Sequence, residues 1–229
     1  DEEEICPICR WELYDDIFKL SPGELDQEQQ KQLEDPSTIS VIKFKDCMDH
    51  FYHKECTPGL LGDKEYIKWA VCSKIYGELI GDWPPGTMSW KYHPKGQVPC
   101  ENFESYGTWV INYQFFDGVR NGINYRGTRR MAYLPDTQEG REVLLLLIKA
   151  FKRKVTFTVG DSVTTGRKNW VVWNSIHHKT STHGGTLWYG YPDPTYFNRV
   201  KLEVADKGVT LEENDDPSKI KKRGNISIN

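Results

Sequence analysis

Apolar positions recur at two periods along this chain, and the change between them outlines its elements. Thr108 to Phe116 (TWVINYQFF) is β-branched and aromatic, which predicts a strand. Gln138 to Lys154 predicts a helix, because Val143, Leu144, Leu147, Ile148 and Phe151 recur at helical spacing. Val155 to Val159 (VTFTV) predicts another strand, followed by the small polar loop Gly160 to Gly166 and a strand over Trp170 to Trp173. Asp193-Pro194 carries the start signal of a second helix, with Asp as N-cap and Pro at the first helical position. Gly208 is a natural C-cap for it. Earlier, the alternating run Ile39 to Phe44 predicts a short strand, and Glu24 to Glu34 a solvated helix stopped by Pro36. That stretch also reads as an exposed charged insertion. The turn Gly81-Asp82-Trp83-Pro84-Pro85-Gly86 marks a domain joint. The organisation read from these signals is a first domain at 1–81, a second at 82–211 and a polar tail at 212–229. The tail carries Lys219, Lys221, Lys222 and Arg223 and is expected to be mostly disordered.

Composition narrows the class. The 229 residues include 30 Lys and Arg against 33 Asp and Glu, a net charge of −3, which argues against a protein bound by bulk phosphate attraction and leaves room for a local basic patch. Eight Trp, twelve Tyr and nine Phe exclude a disordered chain. No period indicates collagen or coiled coil. The longest apolar run, Val143 to Ile148, is far short of a membrane span, so no membrane association is expected. The chain starts at Asp1 without a visible signal peptide, which reads as a piece of something longer.

The cysteines carry the first chemical signal. Cys6, Cys9, Cys47, Cys56 and Cys72 fall in the first third, with His50 and His53 among them, and only Cys100 lies beyond. This clustering points to metal ligation; a disulfide framework suits a smaller secreted chain. The compartment therefore reads as reducing, cytoplasm or nucleus. Cys6-x-x-Cys9 with His50-x-x-His53-x-x-Cys56 is a zinc pattern, since zinc takes four tetrahedral N/S ligands and CxxC supplies two from one turn. A domain with so little core gains folding energy directly from the metal.

The ligand order resembles a RING finger, whose ligands alternate between two zinc ions. The resemblance implies a complete first site of Cys6, Cys9, His53 and Cys56, and a second site of Cys47, His50 and Cys72 that is one ligand short. Trp69 stands where the closing CxxC pair would place a cysteine. Either Asp46 or Asp49 supplies an oxygen ligand, or the second site is empty and replaced by packing around Trp69. A RING finger recruits a ubiquitin-conjugating enzyme charged with ubiquitin. By resemblance the contact surface includes Ile8 and Val71, and Ser73 follows the last Cys where such ligases often place a basic residue.

Several strings then follow in order. They are Tyr133-Leu134-Pro135-Asp136, Phe157-Thr158-Val159-Gly160, Thr164-Thr165-Gly166, Ile176-His177-His178-Lys179-Thr180 and Gly190-Tyr191-Pro192-Asp193-Pro194. Read as residues, Gly160 to Gly166 is a loop of small hydroxyl-bearing side chains that suits a polar ligand or a plain turn. Two adjacent His point in different directions, so one is expected to face a pocket. Tyr189 and Tyr191 suit stacking on a base or ribose, or core packing. Glu203 shares a helical face with Tyr196 and Val200, which turns it inward toward a partner; an exposed edge is the alternative.

These strings, directly after a RING-like segment, closely resemble the Deltex family of ubiquitin ligases, from about Cys6 to Gly208. The resemblance implies an α+β fold: a small zinc-binding RING-like domain, then a curved antiparallel-sheet domain with two packed helices. It implies a ubiquitin transferase that binds ADP-ribose or NAD and moves ubiquitin to a hydroxyl of ADP-ribose or to protein lysines. Matched by motif, His177 and Glu203 are the catalytic pair, and Gly160, Ser162, Thr164, Thr165, His177, Tyr189 and Tyr191 line the nucleotide site. Relatives can carry His where this chain has Tyr189, which would stack on the ligand or hydrogen-bond to it. The implied partners are a conjugating enzyme, ubiquitin, and an ADP-ribosylated substrate or NAD. Two other readings stand beside this one: an ADP-ribose reader whose RING is inactive, and a ligase acting on single-stranded nucleic acid ends, where Tyr189 and Tyr191 would stack on bases.

Overall fold

The computed structural model describes residues 5–13, 41–43, 51–58, 66–68, 75–81, 84–161, 166 and 168–229. The chain divides into two units, 1–73 and 74–229. The division falls eight residues before the joint read from the sequence. Residues ahead of the Pro-Pro turn already belong to the second unit, because Gly81 N–H donates to the Arg153 carbonyl at 2.8 Å and Glu78 pairs with Arg153 at 3.1 Å. A Cβ at Gly81 would sit 1.7 Å from the Lys154 oxygen, so only glycine allows this approach.

In the first unit, β1 (Val41–Ile42) pairs antiparallel with β2 (Tyr52–His53) in the register Val41↔His53. A 3-10 turn, Lys54–Cys56, follows, and β3 spans Tyr66–Lys68. The expected helix at Glu24 to Glu34 lies outside the described residues, as do Cys47, His50, Trp69, Val71 and Cys72.

The second unit holds β4 (Ile75–Gly77), β5 (Gly86–His93), β6 (Thr108–Phe115), β7 (Gly118–Arg120), β8 (Ile123–Tyr125), β9 (Arg129–Pro135), α1 (Gln138–Lys152), β10 (Phe157–Gly160), β11 (Trp170–Trp173), α2 (Tyr196–Ala205) and β12 (Arg223–Ile228). Four of these strands form an antiparallel sheet in the order β12-β5-β6-β9. Its core face presents Met88, Ile111, Tyr113, Phe115, Ala132 and Leu134. Helix α1 joins this core through Val143, Leu144, Leu147 and Phe151, all fully buried, which is the helical stripe legible in the sequence. The Thr137 side chain caps α1 by accepting from Gly140 N–H at 3.1 Å. A two-stranded ribbon, β10-β11, brings Phe157 and Trp173 together at 4.3 Å between ring centroids.

Two expectations are corrected here. The tail is ordered: β12 forms the sheet edge, paired with β5 from Arg223↔Lys91 to Ile228↔Gly86. Gly224, Ile226 and Ile228 are half-buried and alternate with exposed Arg223, Asn225 and Ser227, a two-residue period masked by the lysines just before it. Trp90 Nε1–H secures the approach by donating to the Lys221 carbonyl at 3.0 Å. Helix α2 begins at Tyr196, two residues after Pro194. The Asp193 side chain accepts from the Thr195 N–H and hydroxyl at 3.2 and 3.0 Å and from two cations, so it serves the loop instead of capping the helix. Gly208, at φ +71°, does close α2: its N–H donates to Ala205 at 2.8 Å and that of Val209 to Val204 at 3.0 Å.

Candidate functional site

In the first unit the Cys6-Pro7-Ile8-Cys9 turn is tied by Arg10 N–H to the Cys6 carbonyl at 2.9 Å and by Cys6 N–H to Trp11 at 2.8 Å. Strand β2 and the turn after it deliver His53 and Cys56 to the same point. The donor atoms of Cys6, Cys9, His53 and Cys56 all lie within 4.8 Å of one another. His53 Nδ1 is 3.3 Å from Cys9 Sγ and 3.9 Å from Cys56 Sγ. Donors about 2.0–2.3 Å from a tetrahedral zinc stand at such separations, so the set can hold a zinc ion. The other ring nitrogen of His53 donates to the Glu12 carbonyl at 2.9 Å, which aims Nδ1 at the cluster. Burial raises the Cys6 thiol, but hydrogen bonds from the backbone of Cys9, His53 and Ile8 outweigh it and bring it down to about 6. Burial and the neighbouring Cys9 and Cys6 sulfurs push Cys56 up to about 11. Crowded sulfurs that resist a shared negative charge are what a bound cation relieves. Ile8 is half-buried in the CxxC turn.

In the second unit, His177 and Glu203 meet although 26 positions separate them. Glu203 lies one position before buried Val204 and is held mostly out of solvent, its side chain 17% exposed. It accepts twice from His177: Oε2 takes the main-chain N–H at 2.7 Å, and Oε1 lies 2.5 Å from Nδ1. A carboxylate only accepts, so Nδ1 carries a proton, and in the neutral ring the lone pair is on Nε2. Nε2 has no hydrogen-bond partner among the described residues, and the imidazole is 59% exposed.

The neighbouring His178 is structural, as expected for one of two adjacent residues. It is buried, stacked on Trp173 at 4.0 Å between centroids, and bonded to Tyr113 OH at 2.9 Å and the Ile176 carbonyl at 2.9 Å. Burial pushes its imidazole down to about 4.

His177 lines a cleft of about 210 Å³, together with Lys179, Tyr189, Asp193 and Arg199 among others. Tyr189 is carried at φ +52° at the end of a 3-10 turn, Thr186–Trp188, and is 57% exposed. The next residue, Gly190, packs so closely that a Cβ there would lie 2.0 Å from the His183 oxygen. Leu187 and Trp188 on the same turn are 88% and 74% exposed.

Tyr191 corrects the expected binding set. It is fully buried, edge-on to Phe103 at 5.5 Å, and its hydroxyl donates to the Tyr133 carbonyl at 2.9 Å. Its neighbour Gly190 turns the chain, so Tyr189 faces the cleft and Tyr191 the core. Gly160 ends β10 opposite Trp170 and is not part of this cleft. Ser162, Thr164 and Thr165 lie outside the described residues.

Asp193, Lys179 and Arg199, none of them given a site role from the sequence, also line the cleft. Asp193, its side chain 2% exposed, takes Lys179 Nζ at 2.6 Å and Arg199 Nη2 at 2.9 Å. Burial raises its carboxyl, but hydrogen bonds from Lys179, Arg199 and Thr195 outweigh it and hold it well below the usual carboxylate range. Lys179 and Asp193 stand within two of the motif strings, whereas Arg199 offers only its i, i+4 spacing to Glu203.

The model of the Deltex C-terminal domain matches residues 80–209. The chain belongs to the Deltex family. The human probable E3 ubiquitin-protein ligase DTX3 is 48% identical over 147 residues, 61% of this chain and 42% of that protein. The E3 ubiquitin-protein ligase DTX1 of Xenopus laevis is 37% identical over 175 residues, 72% of this chain and 28% of that protein. The mouse E3 ubiquitin-protein ligase DTX4 is 33% identical over 175 residues, 70% and 27%. The chain thus spans less than half the length of these relatives. No helix among the described residues is long and apolar enough to cross a membrane.

Proposed function

We propose that this protein is a ubiquitin ligase that transfers ubiquitin to a hydroxyl of ADP-ribose or NAD. The first unit acts as a RING-like zinc module that receives a charged conjugating enzyme, with Ile8 and Val71 at the contact. The second unit binds the nucleotide and supplies the base. The observation that carries this reading is the doubly held His177, which lines the open cleft while its Nδ1 is committed to Glu203.

In the proposed step, a ribose hydroxyl attacks the carbonyl carbon of the ubiquitin thioester. His177 Nε2 takes the hydroxyl proton as the new ester C–O bond forms. The C–S bond breaks and the conjugating enzyme leaves as its thiolate, which the imidazolium can reprotonate. Glu203 stabilises the imidazolium and holds the ring in the productive tautomer. Tyr189, on the rim of the cleft, is placed to stack on the ligand. Protein lysines are a second acceptor class that needs less from this pair, since a neutral amine attacks a thioester far more readily than a neutral hydroxyl and loses its proton afterwards. The setting we propose is cytoplasmic or nuclear, since a thiolate zinc site suits a reducing compartment.

The test combines calorimetry of ADP-ribose and NAD binding with transfer assays, using purified activating and conjugating enzymes and the full chain. Binding together with a ubiquitin–ADP-ribose ester supports the proposal. Binding without transfer across several conjugating enzymes would instead make the protein an ADP-ribose reader.

A further inference from the structure

Arg199 stands one helical turn before Glu203 on α2, and its guanidinium is anchored by groups other than Glu203. Nη2 donates to Asp193 Oδ2 at 2.9 Å and Nη1 to Thr195 Oγ1 at 2.8 Å. This leaves Nε beside Glu203 Oε1, at 4.0 Å. Asp193 is itself fixed by Lys179, and both of those side chains are almost completely buried, at 2% and 4% exposed. Charges therefore alternate along one line: Lys179, Asp193, Arg199, Glu203, ending on the His177 ring.

A glutamate on a helix surface has three rotatable bonds, and only one orientation serves both N–H groups of His177. The Oε1 atom that takes Nδ1–H is the atom Arg199 faces. A guanidinium alongside favours the ionised, purely accepting form of the carboxylate and opposes its rotation away. The planar fork is well suited to this, because two of its nitrogens are tied back to the loop while the third points along the helix. A lone surface arginine would lose most of that effect to solvent and side-chain entropy. Here the anchor is a buried anion.

We propose that Arg199 is a positioning residue for the His177–Glu203 pair. It holds the Glu203 carboxylate where Oε1 accepts Nδ1–H, and so keeps Nε2 of His177 free toward the cleft. This inference rests on the pair acting as the base proposed above. The competing role for a cation on a cleft wall is direct contact with an anionic ligand, and the two differ in what they change. Loss of a ligand contact raises KM, whereas loss of positioning lowers kcat.

The experiment uses the full chain with Arg199→Met and Arg199→Lys, and two readouts. One is proton NMR of the His177 Nδ1–H signal without ligand, assigned by its absence in His177→Gln. The other is steady-state ubiquitin transfer to ADP-ribose. Arg199→Met is expected to broaden or remove the Nδ1–H signal. It should also lower kcat about tenfold, a fraction of the roughly 10²–10⁴-fold a positioned base supplies, with KM within about twofold. Arg199→Lys keeps the Asp193 ion pair and should recover part of both. Should Arg199→Met fail to fold, Thr195→Val removes the Nη1 acceptor together with that hydroxyl's bond to Asp193 and should lower kcat about two- to threefold, again at constant KM. An unchanged Nδ1–H signal in Arg199→Met overturns the inference, as does a raised KM at unchanged kcat. If the wild-type protein transfers no ubiquitin, the functional proposal fails, while the NMR readout still decides the role of Arg199.

Discussion

Lys179 Nζ lies 2.6 Å from Asp193 Oδ2, with only 4% and 2% of the two side chains exposed. The ammonium also lies 5.1 Å from the centre of the Tyr196 ring and 5.7 Å from that of Tyr191. This buried pair joins the loop of His177 to the start of α2, and so sets the distance between His177 and Glu203. Removing one partner leaves a charge without its counterion in a dry site, which costs about 3–5 kcal/mol. Lys179→Met is expected at the lower end of that range in urea unfolding, because Arg199 still reaches Asp193. A loss under about 1 kcal/mol, the ordinary size of a surface pair, would contradict the structural weight given to it.

His178 predicts an acid sensitivity separate from any carboxylate. Burial brings its imidazole from an ordinary 6.5 down to about 4. Between those values the unfolded chain binds a proton on this ring that the folded chain refuses. Stability is therefore full above about pH 6.5 and declines as the pH falls to about 4, by about 3 kcal/mol in all. Asp193 acts in a lower window: its depressed carboxyl adds stability that is lost only below the ordinary 3.8. Urea midpoints of wild type and His178→Gln should diverge between pH 7 and pH 4.5, the variant showing the flatter profile. Parallel profiles would assign the sensitivity elsewhere.

Deleting residues 217–229 removes β12 and bares the edge of β5. Half-buried Ile226 and Ile228 and the ladder from Arg223↔Lys91 to Ile228↔Gly86 are lost together. A stability loss of about 2–4 kcal/mol is expected from the two isoleucines alone. Faster hydrogen exchange at the β5 amides that face β12 should accompany it. Unaltered exchange there would show that the strand adds nothing to the sheet.

Zinc removal should act on the first unit alone. Chelation is expected to release metal and to abolish the dispersed NMR signals of Tyr52 and His53, while signals of α1 and β6 persist. Cys6→Ser should mimic chelation. Global unfolding on chelation would mean that the second unit depends on the metal as well.

The legible parts of this structure were those with a strong local period. Helix α1 shows a full apolar stripe, and β6 and β11 are dense in β-branched and aromatic residues. The spacing of the Cys and His residues pointed to a zinc site and the RING resemblance picked out Cys6, Cys9, His53 and Cys56, while the Deltex resemblance, with the helical face of Glu203, paired His177 with Glu203. Strand β12 was not, because its alternation is carried by only Gly224, Ile226 and Ile228 and its partner β5 lies over 130 positions away. Tyr189 and Tyr191 look equivalent in sequence. The close packing of Gly190 against His183 separates them, and no local pattern reports that. Asp193 carries a helix-start signal, yet Lys179 and Arg199 draw its carboxylate into the loop. Tertiary charge pairing overrides the local cap there.

The most direct measurement compares two acceptors in one assay. Wild type and Glu203→Gln are each given a charged conjugating enzyme, with ADP-ribose or free lysine as acceptor. Glu203→Gln lies outside the Cys/His cluster and removes the anion that orients His177. If the pair is the base for a hydroxyl acceptor, ester formation with ADP-ribose falls about a hundredfold while discharge to lysine continues. Undiminished transfer to ADP-ribose by Glu203→Gln would contradict the assignment.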